Sequence, residues 1–363
     1  MQAFVIAARR TAVMPRGGAF RALSLEALAA PVVGALLADA GLAPEAVDEV
    51  ILSNVLGPGG NPARRVALAA GLPERVAGLS IDRQCAGGLD AILLARAMVM
   101  AGLAEVVVAG GAESYSQRPE RRMPGAAAPY DEAPFTPWPD RDPGMAEAAA
   151  ALAVRLGIGR DRQDAWAVQS HAKARAADLA GNLAGEIVPV AGAMRDGFTR
   201  DLTPALAARA PVVAGSVTAA NAAVAADGAA LVLVVSERVA GRVAGRALRI
   251  AGGVTLGGVP WEPGLAPVAA IGRVLAGAGR RAADLARAEV MEAYAVQAIA
   301  CVEGAGLDPA RVNLGGGALA RGHPVGASGA VLAVRLFADL DRGAGLAAIA
   351  AAGGIGTALL LEA

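Results

Sequence analysis

The feature that most constrains the fold is a pattern that occurs twice. In the first half, Arg83 to Gly88 leads into an almost uncharged helical stretch reaching Met100, followed by a strand, Glu105 to Ala109, that ends on Gly110-Gly111. In the second half, Arg321 to Gly329 leads into an apolar helix, Ala330 to Leu340, a glycine turn and the strand Leu346 to Ala352, which ends on Gly353-Gly354. A glycine-rich turn, a buried helix and a buried strand make a βαβ-type unit, and its recurrence points to duplicated halves. If the halves pack about a pseudo-twofold axis, the two central helices meet at their starts. Cys85 and His323 then share one site.

Strand and helix signals alternate around this pattern: Ala3 to Ala7 as a strand, Leu23 to Ala40 as a helix, Glu49 to Val55 as a strand and Ala63 to Ala70 as a helix. The rhythm predicts a layered α/β fold with the sheet buried on both faces. From about Tyr115 to Pro143 periodicity gives way to proline, arginine and acidic residues, and helices follow near Ala146 to Leu156 and Asp161 to Leu179. A segment of this kind reads as an insertion that forms a lid or a binding wall. The α/β pattern resumes with Ala229 to Ser236, a strand without polar alternation. Gly345 to Leu361 is uncharged and nearly long enough to span a bilayer, but Gly353, Gly354 and Gly356 divide it, so two buried strands joined by a turn are expected.

Composition narrows the function. Hydrophobic residues make up 55% of the chain and charged residues 18%, and the formal net charge is zero. There is no electrostatic footprint for nucleic acid or an anionic membrane, which leaves small-molecule chemistry. The two cysteines, Cys85 and Cys301, do not suggest a disulfide framework, and there is no cysteine or histidine cluster to suggest a metal site. A reducing cytoplasm is the expected compartment. Met1 to Val13 reads as a first strand rather than a secretory signal.

Cys85 reads as a nucleophile. The small residues after it let a substrate approach the backbone, and the start of the following helix would favour thiolate over thiol. The plainer alternative is a buried structural cysteine. A second glycine-rich turn carrying His323, one of only two histidines, tips the balance towards catalysis. His171, within Asp161 to Leu179, reads as a partly buried helix-face residue. Arg118, Arg121 and Arg122 are candidates to grip phosphates or simply to be solvated.

Five blocks in order resemble the thiolase family of acyl-CoA acyltransferases: Gly59 to Arg64, the Cys85 turn, Val107 to Ser114, Ser216 to Asn221 with Asp227 to Ala230, and Asn313 to Gly329. The resemblance covers nearly the whole chain. It implies a five-layered αβαβα fold of two similar halves with an inserted loop domain. The expected division is an N-terminal half over 1–114 completed by 228–240, a loop domain over 115–227, and a C-terminal half over 241–363.

The resemblance also implies ping-pong chemistry on coenzyme A thioesters, as β-ketoacyl-CoA thiolysis or Claisen condensation within lipid metabolism. Cys85 would carry the acyl group and His323 would activate or orient it. The backbone N–H groups of Cys85 and Ala352 would form one oxyanion hole, and His323 would contribute to a second. Ala220, Asn221, Ala223, Ala293 and Tyr294 fall at expected coenzyme A contacts. Coenzyme A and acyl-CoA are the expected partners, with no resident cofactor or metal, in a homodimer or homotetramer.

The chain departs from the family at two chemically significant positions. Aligning Gly353, Gly354 and Gly356 puts Ala350 where the family carries a second, acid/base cysteine. Met291-Glu292-Ala293-Tyr294 replaces the leading Asn of an Asn-Glu-Ala-Phe motif with Met291, which cannot hold an oxyanion-hole water. Cys301 lies too far along a helix to substitute and reads as core. Acyl transfer onto Cys85 should therefore survive better than proton abstraction from carbon, for which loss of a positioned base costs roughly 10²–10⁴-fold. Three readings remain: a thiolase in which Glu292, Tyr294 or His323 stands in; a divergent condensing or acyl-transfer enzyme that bypasses proton abstraction by decarboxylation or by O-, N- or aromatic C-acylation; and a non-catalytic subunit of a complex.

Overall fold

The repeated pattern folds into two matching sets of strands. The computed structural model describes residues 2–363. The N-terminal half contributes strands in the order Leu79–Ile81, Glu49–Ser53, Val106–Glu113, Ala226–Ser236 and Ala3–Thr11. The C-terminal half contributes Leu285–Val290, Ala344–Ala351, Ile355–Glu362 and Leu248–Gly257. The two sets join edge to edge, where Phe4 and Val5 pair antiparallel with Arg249 and Leu248.

Three apolar layers explain why these strands lack polar alternation. Leu231, Leu233 and Val235 face outward onto Leu28, Val32 and Leu36 of the helix Leu25–Ala40. Ala230, Val232 and Val234 of the same strand face inward, onto a core shared with Leu89 and Ile92 of the helix Gly87–Met100 and with Val331 and Leu336 of the helix Val325–Asp339. That core also takes Ala347, Ile349 and Leu359 from the C-terminal strands. Their neighbours Leu346, Ala348 and Leu360 face the opposite way, onto Ile271 and Leu275 of the helix Ala266–Gly277. The order is helix, sheet, central helix pair, sheet, helix: the expected five-layered αβαβα arrangement.

The central helices cross at glycines. A Cβ on Gly88 would lie 2.6 Å from the backbone nitrogen of Ala330, and one on Gly329 would lie 2.6 Å from that of Leu89. The helix of the second half begins at Val325 rather than at Ala330, so Gly326 and Gly329 are helical. Glycine lowers helix propensity, and the sequence pattern therefore placed these residues in a turn; close backbone approach of the two helices outweighs that cost.

The uncharged C-terminal run forms two buried antiparallel strands, with Ala351 opposite Ile355. The irregular segment after Tyr115 leads into the helices Met145–Leu156 and Arg160–Leu179. Leu152 and Ile158 pack onto Val296 and Ile299 of the helix Ala295–Gly304, which fixes this segment over the C-terminal half.

Candidate active site

Cys85 is presented by a tight, strained turn. Gln84 has a φ of 50°, in the left-handed region, which costs a non-glycine residue about 1 kcal/mol. The turn is held by Asp82 Oδ1, which accepts the Gln84 N–H at 2.8 Å, and by the Ala86 and Gly87 N–H groups bonding back to the carbonyls of Arg83 and Gln84 at 3.2 and 3.1 Å. No glycine marks this position, so the strain is invisible in the sequence.

His323 arrives from the other half. Gly322 before it has a φ of 107°, and the His323 N–H donates to Val224 O at 2.8 Å. Its Nε2 lies 3.2 Å from Cys85 Sγ. On the other side of the ring, Nδ1 lies 2.6 Å from Ser328 Oγ, whose hydroxyl donates to Pro324 O at 3.2 Å. With that proton committed, Ser328 accepts from Nδ1–H, and Nε2 is left with its lone pair facing the thiol.

Burial pushes the Cys85 thiol up to about 12; the N–H groups of Cys85 and Ala352 act on the sulfur in the opposite sense. Burial also takes His323 down to about 4. Both shifts favour the neutral thiol and the neutral imidazole, in the direction opposite to the helix-stabilised thiolate that the sequence suggests.

Glu113 ends the strand Val106–Glu113 and was given no role in the sequence reading, although it is the only charged residue of that strand. Its fully buried carboxylate accepts from Asn54 Nδ2 at 2.8 Å and from the N–H groups of Val55, Leu56 and Gly326 at 3.0, 3.2 and 3.1 Å. It thus ties the first turn of the His323 helix to the N-terminal half. Burial raises its pKa to about 7 against these hydrogen bonds.

Cys85 and His323 open into a cavity of about 380 Å³, within the usual range of small-molecule sites. Ala350 and Ala352 line it, so the position at which the resemblance implies a second cysteine presents only a methyl group. Ala223, Ala293 and Tyr294 line it too, whereas Ala220 and Asn221 do not. Ala220 is core, and the Asn221 side chain is occupied by Thr218 N, Asp164 Oδ1 and Ser216 O at 2.8, 2.8 and 3.2 Å. Tyr115, not singled out from the sequence, also faces the cavity.

Two of the accessory positions, Glu292 and Met291, lie elsewhere. Glu292 is buried behind the cavity wall, with its carboxylate consumed by Trp166 Nε1, Ser170 Oγ, Asn313 Nδ2 and Leu319 N at 3.1, 2.7, 2.8 and 3.3 Å. Four donors leave it a structural clamp rather than a proton carrier. Met291 is packed in the central core, its N–H donating to Ala348 O at 2.9 Å. Tyr294 does reach the cavity, but burial holds its phenol above its usual value, which makes it a poor base.

The remaining candidates separate clearly. Cys301 is buried in the outer C-terminal core and donates to Gly264 O at 3.1 Å. His171 is buried on the helix Arg160–Leu179 and accepts from Arg200 N at 3.3 Å, away from Cys85. Arg118 and Arg121 line the cavity, while Arg122 is exposed and pairs with Glu120 at 2.6 Å.

This arrangement can be set beside known proteins. Residues 3–238 match the family described as thiolase, N-terminal domain, and residues 247–363 match thiolase, C-terminal domain. The acetyl-CoA acetyltransferase of Chromobacterium violaceum is 38% identical, with all of both chains covered. Among solved structures, the Bacillus anthracis acetyl-CoA acetyltransferase superposes with a TM-score of 0.93 at 34% identity, covering 100% of this chain and 99% of that one. The Acat5 thiolase from Ascaris suum, solved in complex with coenzyme A, gives a TM-score of 0.93 at 29% identity over the full length of both chains. The chain belongs to the thiolase family.

Proposed function

We propose that this protein is an acyltransferase working on coenzyme A thioesters through an acyl-Cys85 intermediate. The observation that carries this reading is the 3.2 Å contact between Cys85 Sγ and His323 Nε2 at the wall of a ligand-sized cavity. In the loading step the Cys85 sulfur bonds to the thioester carbon and the carbon–sulfur bond to coenzyme A breaks. The thiol proton passes through His323 Nε2 to the departing sulfur. Burial favours both neutral forms, which suits loss of the proton as the sulfur attacks. The Cys85 and Ala352 N–H groups receive the developing oxyanion, and Ala223, Ala293 and Tyr294 flank the pantetheine arm.

Within this class, a reading in which proton abstraction from carbon is bypassed is favoured by two observations. Ala350 offers no acid or base, and Glu292 is sequestered. Transfer to a heteroatom, or decarboxylation of a malonyl-type donor, needs neither. We further propose a homodimer or homotetramer in the cytoplasm, with the loop domain spanning 115–227 between halves 1–114 plus 228–240 and 241–363.

The test is intact mass spectrometry of the protein and of Cys85→Ala after exposure to a panel of acyl-CoAs and β-ketoacyl-CoAs. An acyl adduct on the wild type alone is expected. Absence of an adduct with every donor would sink the reading in favour of a non-catalytic subunit.

A further inference from the structure

The cavity beside Cys85 does not end at the catalytic pair. A second hollow of about 250 Å³ adjoins it, and the two share Arg16, Leu56, Tyr115, Arg118, Arg121 and Asp131. This side arm is built by the N-terminal half and the irregular loop; His323, Tyr294 and the other C-terminal residues line only the main cavity.

The arm's charges do not cancel. Its two carboxylates are paired: Asp131 with Arg118 at 2.6 Å and Glu120 with Arg122, which does not line the arm, at 2.6 Å. Arg121 donates only to the carbonyls of Val55 and Gly57, at 2.8 and 3.4 Å. Among the described residues, neither Arg121 nor Arg16 has a carboxylate partner, and two cations are left facing one small hollow. Glu132 lines the main cavity and not the arm; after burial its carboxylate is the largest influence raising the Tyr294 phenol, and it acts on Tyr115 as well. Tyr115 lies between the arm and the nucleophile, with the Arg118 guanidinium 5.9 Å from its ring centre.

We propose that this arm is an anion-binding acyl subsite, and that the protein accepts acyl chains ending in a carboxylate, held by Arg16 and Arg121 while the thioester end reacts at Cys85. Arginine suits the task because its planar fork binds a carboxylate through two parallel hydrogen bonds. A simple alkyl chain would leave both guanidiniums facing an apolar tail, which disfavours it. The inference rests on the acyl-Cys85 reading for its chemistry but not for its recognition step. The phosphates of coenzyme A are the other source of the same anion chemistry, and the experiment separates the two.

Calorimetry on Cys85→Ala, which cannot be loaded, would measure binding of succinyl-, glutaryl- and adipyl-CoA, the chain-matched butyryl-, pentanoyl- and hexanoyl-CoA, and free coenzyme A. At least one dicarboxylic thioester is expected to bind about tenfold more tightly than its matched alkyl partner. Adding Arg16→Gln and Arg121→Gln should bring that ratio to about one. Arg16→Gln alone, at an exposed position, should reduce it partially and guards against misfolding of the double replacement. No preference at any chain length would overturn the proposal. So would a loss that falls equally on every thioester and on free coenzyme A, which would assign the arm to the phosphates. A retained preference with no adduct on the wild type would instead count against Cys85 as the nucleophile and leave the subsite standing.

Discussion

At the residue scale, the site depends on how two unremarkable protonation states are held together. Burial pushes Cys85 up to about 12 and His323 down to about 4, and both shifts favour keeping the proton on sulfur. The rate of Cys85 alkylation by iodoacetamide should therefore keep rising through about pH 9, because the reactive thiolate appears only as pH approaches the raised pKa. A plateau between pH 6 and 8 would reveal a thiolate–imidazolium pair instead. Ala350 supports a second expectation. Its position lines the cavity with Cys85 and His323, so Ala350→Cys should raise Claisen or thiolysis turnover by about 10²-fold if a missing carbon acid/base is what limits it. Unchanged turnover alongside normal acyl loading would place the limit at Met291 or beyond. Cys85, His323 and Ala350 were all legible in the sequence because each sits in a distinctive glycine-rich block. Gln84 and Glu113 were not, since the one acts through a backbone angle and the other through partners distant in the chain; Ser328, only five residues from His323, needed the first helical turn to bring its hydroxyl onto the ring.

At the element scale, the crossing of the helices Gly87–Met100 and Val325–Asp339 decides whether the site forms. Their backbones meet where Gly88 and Gly329 lack side chains, and an added methyl on either would press on a backbone nitrogen at 2.6 Å. Such an overlap cannot be relieved by a rotamer change. Gly329→Ala should cost about 1–3 kcal/mol and lower the thermal midpoint, with Cys85 loading falling as the helix starts separate. Calorimetric melting together with the adduct yield would check this; an unshifted midpoint would show that the helices have room to part. The sequence held the repeat that brings these helices together, yet it misplaced the second helix start. Glycines that look like turn formers locally are helical here because another helix lies against them.

At the scale of the whole molecule, a buried ionic knot links three distant stretches of chain. Arg10 on the first strand bonds Glu186 and Asp196 at 2.7 Å each, and Arg335 on the His323 helix bonds Glu186 from the other side. Glu186→Ala would strand two interior arginines with one carboxylate partner each, Asp196 and Asp339. A loss of about 3 kcal/mol is expected, read from denaturant unfolding, whereas a loss below about 1 kcal/mol would mean that water reaches the knot. Nothing in the local sequence around Glu186 announces this role. By itself the sequence determined the layered α/β class, the duplicated halves and the meeting of Cys85 with His323, because hydrophobic period, glycine turns and motif order are local properties of the chain. Only the tertiary structure decided that Glu292 is clamped away from the cavity, that burial works against a Cys85 thiolate, and that Arg16 and Arg121 face one hollow. Those facts depend on desolvation and on contacts between residues far apart in sequence, which no local pattern encodes.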